Sequence, residues 1–348
     1  MTFFAQYFYV IASIILTGYA LVVSSPILNP LLAAFMLALA LQPLAKRFET
    51  FKAPRLLSSI LCVILFIFVI LILVLVFSLL VGNMDFELNT IKITYSGMFG
   101  KVQDLITDTL NISLKEQTSV LKEVYINTLK NSTSLINNTL SFTTSFLSSF
   151  VIFAISLIFM LYYRAFLASF LFKIMRPKHH LKLKKIIKKI QAVVNQYIFG
   201  LSLIILTVAI LNSVGLLILG IKNAIVFGVM AAILTLIPYI GILIGALLPM
   251  LFALFTKDSL WYPIGVLAIF MFVQFLEGNF LTPNIVGRQV SINPFAAILG
   301  LILGGTLLGV IGIIFALPLL AIFKAVCDEI PNLHPVGYLI GKAKHVNE

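Results

Sequence analysis

The sequence predicts an all-α, polytopic integral membrane protein, and three observations predict it. Of 348 residues, 61% are hydrophobic and only 10% charged, with a mean hydropathy of +1.13, far from the balance of a water-soluble domain. The apolar residues come in unbroken blocks such as Leu56–Val81 and Leu201–Leu219, where barrel strands would alternate over short segments. Each helical crossing takes about 20 apolar residues, so the charge-poor stretches supply roughly eight hydrophobic helical segments.

Taken in order, the first block is Phe3–Val23 and the second Leu31–Ala45, with a turn predicted at Pro26, Asn29 and Pro30. No basic n-region or small-residue cleavage pattern precedes the first block, so it is read as a retained span. Lys46, Arg47, Lys52 and Arg55 follow the predicted hairpin, and the positive-inside rule places that loop, and with it the N-terminus, in the cytoplasm. Leu56–Val81 completes an N-terminal transmembrane region, residues 1–81. Residues 82–144 differ: Asn, Ser and Thr are frequent, and six acids nearly balance five lysines. Met98, Val102, Leu105 and Ile106 recur at helical spacing, which predicts an extracytoplasmic insert of amphipathic helices.

Residues 145–348 form the predicted C-terminal transmembrane region. After a span at Phe146–Tyr163, nine of the 24 basic residues fall between Arg164 and Lys189. Topology therefore accounts for the net charge of +12, and nucleic acid is not an expected partner. Leu183, Ile186, Ile190, Val193 and Tyr197 share one helical face, the pattern of a basic interfacial helix over 173–194. A fifth span, Tyr197–Leu219, precedes a sixth block broken by Pro238, Gly241, Gly245 and Pro249. A seventh, Trp261–Leu276, is expected to run outward into a polar insert, 277–293. The last block, Pro294–Val326, carries Gly300, Gly304, Gly305, Gly309, Gly312 and Pro318. At 33 residues it is too long for one straight crossing, so it is either strongly tilted and broken or a re-entrant hairpin, with the C-terminus cytoplasmic. Backbone that leaves the helical path at membrane depth survives only against protein or an aqueous cavity. Paired Gly/Pro-interrupted segments therefore point to a transport pathway, while the same glycines also suit plain close packing, including that of a homo-oligomer.

Of the twelve acids, only Glu277 stands at the edge of an apolar block. A carboxylate there needs a partner charge, a water-filled path or a proton to carry. Gln274, Asn279, Thr282, Asn284, Arg288 and Asn293 surround it in sequence. Two readings follow: a coupling residue, or a static ion pair with Arg288. No His-Glu-x-x-His helix, nucleophile elbow or Walker loop is present, so neither an enzyme nor a cofactor is expected. Cys62 and Cys327 are the only cysteines, and no metal site is expected from them.

The C-terminal half resembles the AI-2E family of permeases, the autoinducer-2 exporter-like proteins of bacteria. The resemblance rests on Tyr197-Ile198-Phe199-Gly200, on Ile237-Pro238-Tyr239-Ile240-Gly241 with Gly245 and Pro249, and on Gln274, Glu277, Asn279 and Pro283. It continues through Gly287, Pro294, Gly304-Gly305, Gly309, Gly312 and Pro318. Ile242 and Asn293 stand where members often carry proline and histidine. The resemblance implies a multi-pass inner-membrane secondary transporter whose partners are the bilayer and a small polar solute. Gln274, Asn279, Asn284 and Arg288 would hydrogen-bond a polyol of the autoinducer-2 type. The alternative is a sodium(lithium)/proton antiporter that relies on Glu277, and a third reading is a membrane scaffold that transports nothing.

Overall fold

A computed structural model of the chain describes residues 3–82, 132–237, 240–257, 259–285 and 292–342. Regular structure among them is helical, apart from one isolated bridge between Ile292 and Gly341. Helix α1 (Phe3–Thr50) leads to α2 (Arg55–Gly82), α3 (Ser132–Tyr162) and α4 (Arg164–Ile174). Then follow α5 (His180–Ile218), α6 (Ala224–Leu234), α7 (Ile240–Thr256), α8 (Trp261–Leu276), α9 (Pro294–Cys327) and α10 (His334–Ile340). Six described segments are long and apolar enough to cross a membrane, one of them, Pro294–Cys327, being broken at Gly309, and Ala224–Leu234 and Gly241–Leu254 are shorter apolar helices. The predicted insert lies mostly outside the described residues, and its final part, from Ser132, already belongs to α3.

The first two predicted segments are a single helix, which corrects the expected N-terminal hairpin. Pro26, Pro30 and Pro43 all lie inside α1. A proline deletes one donor and bends a helix, yet in an apolar medium no water competes for the freed carbonyls, and the ladder resumes beyond it. Forty-eight residues make a rod of about 70 Å. Phe3 is therefore at the far end of that rod from Lys46, and the ground for placing the N-terminus beside the basic loop falls away. At the basic end, Ser58 donates to the Ala45 carbonyl at 2.7 Å, Arg164 pairs with Glu49, and Gln191 donates to Gln42. Ala34, Ala38, Ala45, Cys62, Val63, Leu157 and Leu161 form the core that α1, α2 and α3 share. Leu71 to Leu75 of α2 are exposed all round the helix, as a stretch in contact with lipid is.

Helix α5 is the spine of the C-terminal region. It incorporates the basic helix and the fifth span without a break, where two elements were expected. Leu183, Ile186, Val193 and Tyr197 are buried along it as their spacing predicts. Two helical hairpins pack on α5 from opposite ends. The first is α6 and α7, which lie antiparallel to each other on either side of 235–237. Ser213 of α5 lies against Gly228, where a Cβ would come within 2.6 Å of the Ser213 backbone nitrogen. Gly241 and Gly245 similarly sit against Leu234 and Ala231, so the two arms touch backbone to backbone.

The second hairpin is α9 itself. Gly309, at φ 62° and ψ −145°, breaks the helical path, and the arms on either side run antiparallel. Gly300 faces Leu320, Gly305 faces Ile313, and Gly304 and Gly312 meet at their carbonyls. The last block is thus a hairpin broken at Gly309 rather than a single tilted helix. Its base rests on the basic part of α5, where Val193, Ile292 and Ala321 share a core.

Because α6–α7 returns to the end it came from, α8 starts at that end and runs back. Gly265 abuts Leu219, and the Lys257 ammonium lies 4.8 Å from the Tyr262 ring centre, whereas Ile285 packs with Ile204. The described start of the polar insert, Glu277–Ile285, thus lies toward the basic end of α5, on the opposite side from the one expected from counting spans.

A polar clasp closes the α9 base. Asp328 accepts from Lys324 at 2.7 Å and lies 3.5 Å from Lys189. Burial alone would push the Asp328 carboxyl up, but the hydrogen bond and charge of Lys324, with Lys189 behind it, hold it below the ordinary carboxylate range. A depressed folded pKa stabilises the fold above the unfolded value and stops doing so as pH falls through the folded one. Acidification through and below the usual carboxylate range is therefore expected to loosen α10 and the α9 base. The effect is at most about 1 kcal/mol for a partly exposed pair. Hydrogen exchange of residues 328–341 against pH measures it, and Asp328→Asn should flatten that profile.

Candidate functional site

The polar cluster is built on an irregularity in α8. From Glu277 to Leu281 the helix takes a π turn before a last helical stretch, Thr282–Ile285. In a regular α-helix, residues five apart point roughly 140° away from each other. The wider turn brings Thr282 round beside Glu277. Thr282 Oγ1 donates to Glu277 Oε1 at 2.6 Å, and Gln274 Nε2 donates to Oε2 at 2.7 Å. Both carboxylate oxygens are thus held by neutral donors, and π turns of this kind concentrate at functional sites.

Glu277 lies within a 25-residue apolar run, Trp261–Ile285, rather than at its margin. Its height follows from the register against α5. Gly215 faces Ile269, while Ile204 and Val208 share a core with Val273, Leu281 and Ile285. Ala232, close to the turn of the first hairpin, belongs to that same core. One turn or two along α5, Tyr197 donates its hydroxyl to the Ile314 carbonyl at 2.9 Å, near the tip of the second hairpin. The tips of both hairpins and the π turn accordingly converge on one stretch of α5, Tyr197–Val208.

Beside the π turn, α7 and α8 enclose a groove of about 560 Å³. Ile242, Met250, Phe270 and Met271 supply apolar walls, and Gln274 and Asn279 are its polar residues. Asn279 also donates to the Phe275 carbonyl at 2.9 Å. Asn284 and Pro283 are exposed on the last stretch of helix. Pro238, Gly287 and Arg288 lie outside the described residues, and so does the proposed Glu277–Arg288 pair. Pro249 and Pro318 are fully buried packing residues.

Asn293 has a different task from the one its sequence position suggested. Its Oδ1 accepts from the Ala296 amide at 2.8 Å, capping α9 just ahead of Pro294, while its Nδ2 donates to the carbonyls of Leu339 and Gly341. The Asn-Pro pair is itself a helix-start signal, and it was the clue to this role. Tyr197 was also missed as a link to the hairpin, since nothing in the sequence reveals a partner 117 residues away. Gln42 accepts from Gln191 across helices, whereas the Oδ1 of buried Asn212 has no partner among the described residues.

The model of the AI-2E family transporter matches residues 10–332. The chain belongs to the AI-2E transporter family. Curated relatives include YrrI and YueF of Bacillus subtilis, both provisionally named transport proteins. They are 34% identical over 37% of this chain and 33% identical over 44% of it. The AI-2 transport protein TqsA of Escherichia coli is 30% identical over 35% of the chain. These alignments take in only 35% to 41% of the relatives' own lengths. An AI-2E family member whose described residues include six segments long and apolar enough to cross a bilayer is a multi-pass membrane protein of a transporter family.

Proposed function

We propose that this AI-2E family protein is a secondary permease of the cytoplasmic membrane that exports a small polar metabolite of the autoinducer-2 type. What supports the reading is the Glu277 carboxylate, held on a π turn by Gln274 and Thr282, with parts of both hairpins packed on the neighbouring stretch of α5. Two re-entrant elements from opposite ends give one site two routes of access, as alternating access requires. Gln274, Glu277, Asn279 and Asn284 are the solute-facing groups. An ionised carboxylate at such depth needs donors at all times. Gln274 and Thr282 supply them in the resting arrangement, and the hydroxyls of a polyol replace them when solute binds. The apolar walls of the adjoining groove exclude water and leave recognition to those few polar groups.

The positive-inside rule orients the protein with Lys46, Arg47 and the basic half of α5 in the cytoplasm. In that orientation the α9 hairpin rises from the cytoplasmic face, α6–α7 descends from the other, and the C-terminal α10 is cytoplasmic. Proteoliposomes containing only this protein test the function through autoinducer-2 flux, with and without an imposed proton gradient. Gradient-dependent flux is expected, and Glu277→Gln should lower it by about tenfold to a hundredfold, the range for losing charge-assisted hydrogen bonds. Exchange of sodium or lithium for protons, with no autoinducer-2 flux under either condition, would overturn the proposal in favour of antiport.

A further inference from the structure

Next to the α9 base is a cavity that the transport reading does not use. It measures about 540 Å³ and lies between the basic half of α5 and the second arm of α9. Lys185, Lys188, Lys189 and Lys324 line it, against the carboxylates of Asp328 and Glu329. One of these two acids is already engaged, because Asp328 pairs with Lys324 and Lys189. Lys185 and Lys188 have no ion pair among the described residues and are exposed at the rim. Between the helices the lining changes to Ala192, Val193, Ala321 and Ala325. Alanines at a helix contact leave room and an apolar wall, so cationic rim and apolar floor meet in one concavity.

We propose that this cavity binds the phosphate-bearing headgroup of an anionic phospholipid, with Lys185 and Lys188 on the phosphate and the alanine-lined floor against the glycerol and upper acyl chain. Basic pockets between membrane helices at the cytoplasmic interface hold such headgroups, and two cationic side chains without carboxylate partners are the groups left to neutralise one. The alanine floor distinguishes a lipid from free phosphate, which has no apolar part to bury. A lipid seated here bridges α5 and the second arm of α9, and so fixes the base on which the second hairpin turns.

The test uses the purified full chain and is independent of flux, so it stands whether or not the transport reading does. Spin-labelled phosphatidylglycerol and phosphatidylcholine are titrated separately against protein in nanodiscs, and the immobilised fraction is read by electron paramagnetic resonance. Preferential immobilisation of phosphatidylglycerol is expected. The double variant Lys185→Gln/Lys188→Gln should weaken it about thirty-fold, from the contribution of two interfacial lysines. Lys185→Arg/Lys188→Arg keeps the charge and should retain it, and Lys182→Gln/Lys184→Gln, outside the cavity, should leave it unchanged. Equal immobilisation of both lipids, or an equal loss in the Lys182/Lys184 variant, would overturn the proposal. Displacement of phosphatidylglycerol by millimolar inorganic phosphate would reassign the cavity to a free anion.

Discussion

Gly312→Ala is expected to force apart the arms of α9 and to lower the yield and the melting temperature of the protein. A Cβ at Gly312 would lie 1.9 Å from the Gly304 carbonyl oxygen, and one at Gly304 would lie 2.5 Å from that of Gly312. Both obstacles are backbone, so no rotamer change relieves them, and the helices themselves must separate. Overpacking of this kind costs about 1–3 kcal/mol or more, a large share of a stability of roughly 5–15 kcal/mol. Gly241→Ala should do the same to the first hairpin, since its Cβ would come within 1.7 Å of the Leu234 carbonyl. Gly309→Ala fails for another reason: space is open around it, but its φ of 62° and ψ of −145° belong to a region that is essentially glycine's alone. Gly278, with nothing within 4 Å, is the control, and Gly278→Ala should be tolerated. Monodisperse yield and thermal unfolding in detergent separate these cases, and a Gly312→Ala protein that melts with wild type would refute the packing.

The second large effect is expected at Asn293. Three of its polar contacts act at once, on the Ala296 amide and on the Leu339 and Gly341 carbonyls, while its own amide donates to the Ile340 carbonyl at 2.9 Å. Asn293→Ala removes a helix cap worth about 1 kcal/mol and leaves two carbonyls without their donor, for a total of roughly 2–4 kcal/mol. Asn293→Asp is the discriminating variant. It preserves the cap, because a carboxylate accepts from Ala296 as well as an amide does, but it sets negative charge against two carbonyl oxygens. The α9 start should then survive while α10 is released, visible as faster hydrogen exchange across residues 334–341. Normal protection of α10 in the Asp variant would show that the latch does not depend on the Asn293 side chain.

The sequence was informative where one residue's chemistry decides and silent where a partner does. Gly304, Gly309, Gly312 and Pro318 announced a break in the last block. They could not say whether the arms meet, because a glycine marks close approach without naming what approaches. At Pro26 and Pro30 the proline pair predicts a turn, yet the helix runs through both. In an apolar medium the surrounding hydrogen bonds hold, and α1 continues. Glu277 stood out because carboxylates are rare at depth, yet Thr282 became its partner only through a π turn that no periodicity encodes. Asn293 was read for its polarity when its place before Pro294 mattered more. The AI-2E motifs were legible because they consist of such single-residue requirements, strung together in order.

The shortness of α6 has a consequence for how the chain is made. Eleven residues extend about 16 Å, roughly half the hydrocarbon thickness, so α6 has no stable transmembrane position of its own. As it leaves the ribosome it cannot be released into lipid as an independent span. It must wait beside α5, with Gly228 against Ser213, until α7 has emerged to cover its other side. The first hairpin therefore inserts as a pair, after synthesis has passed Thr256, and any pause or truncation between Leu234 and Thr256 strands a half-length helix that quality-control proteases can reach.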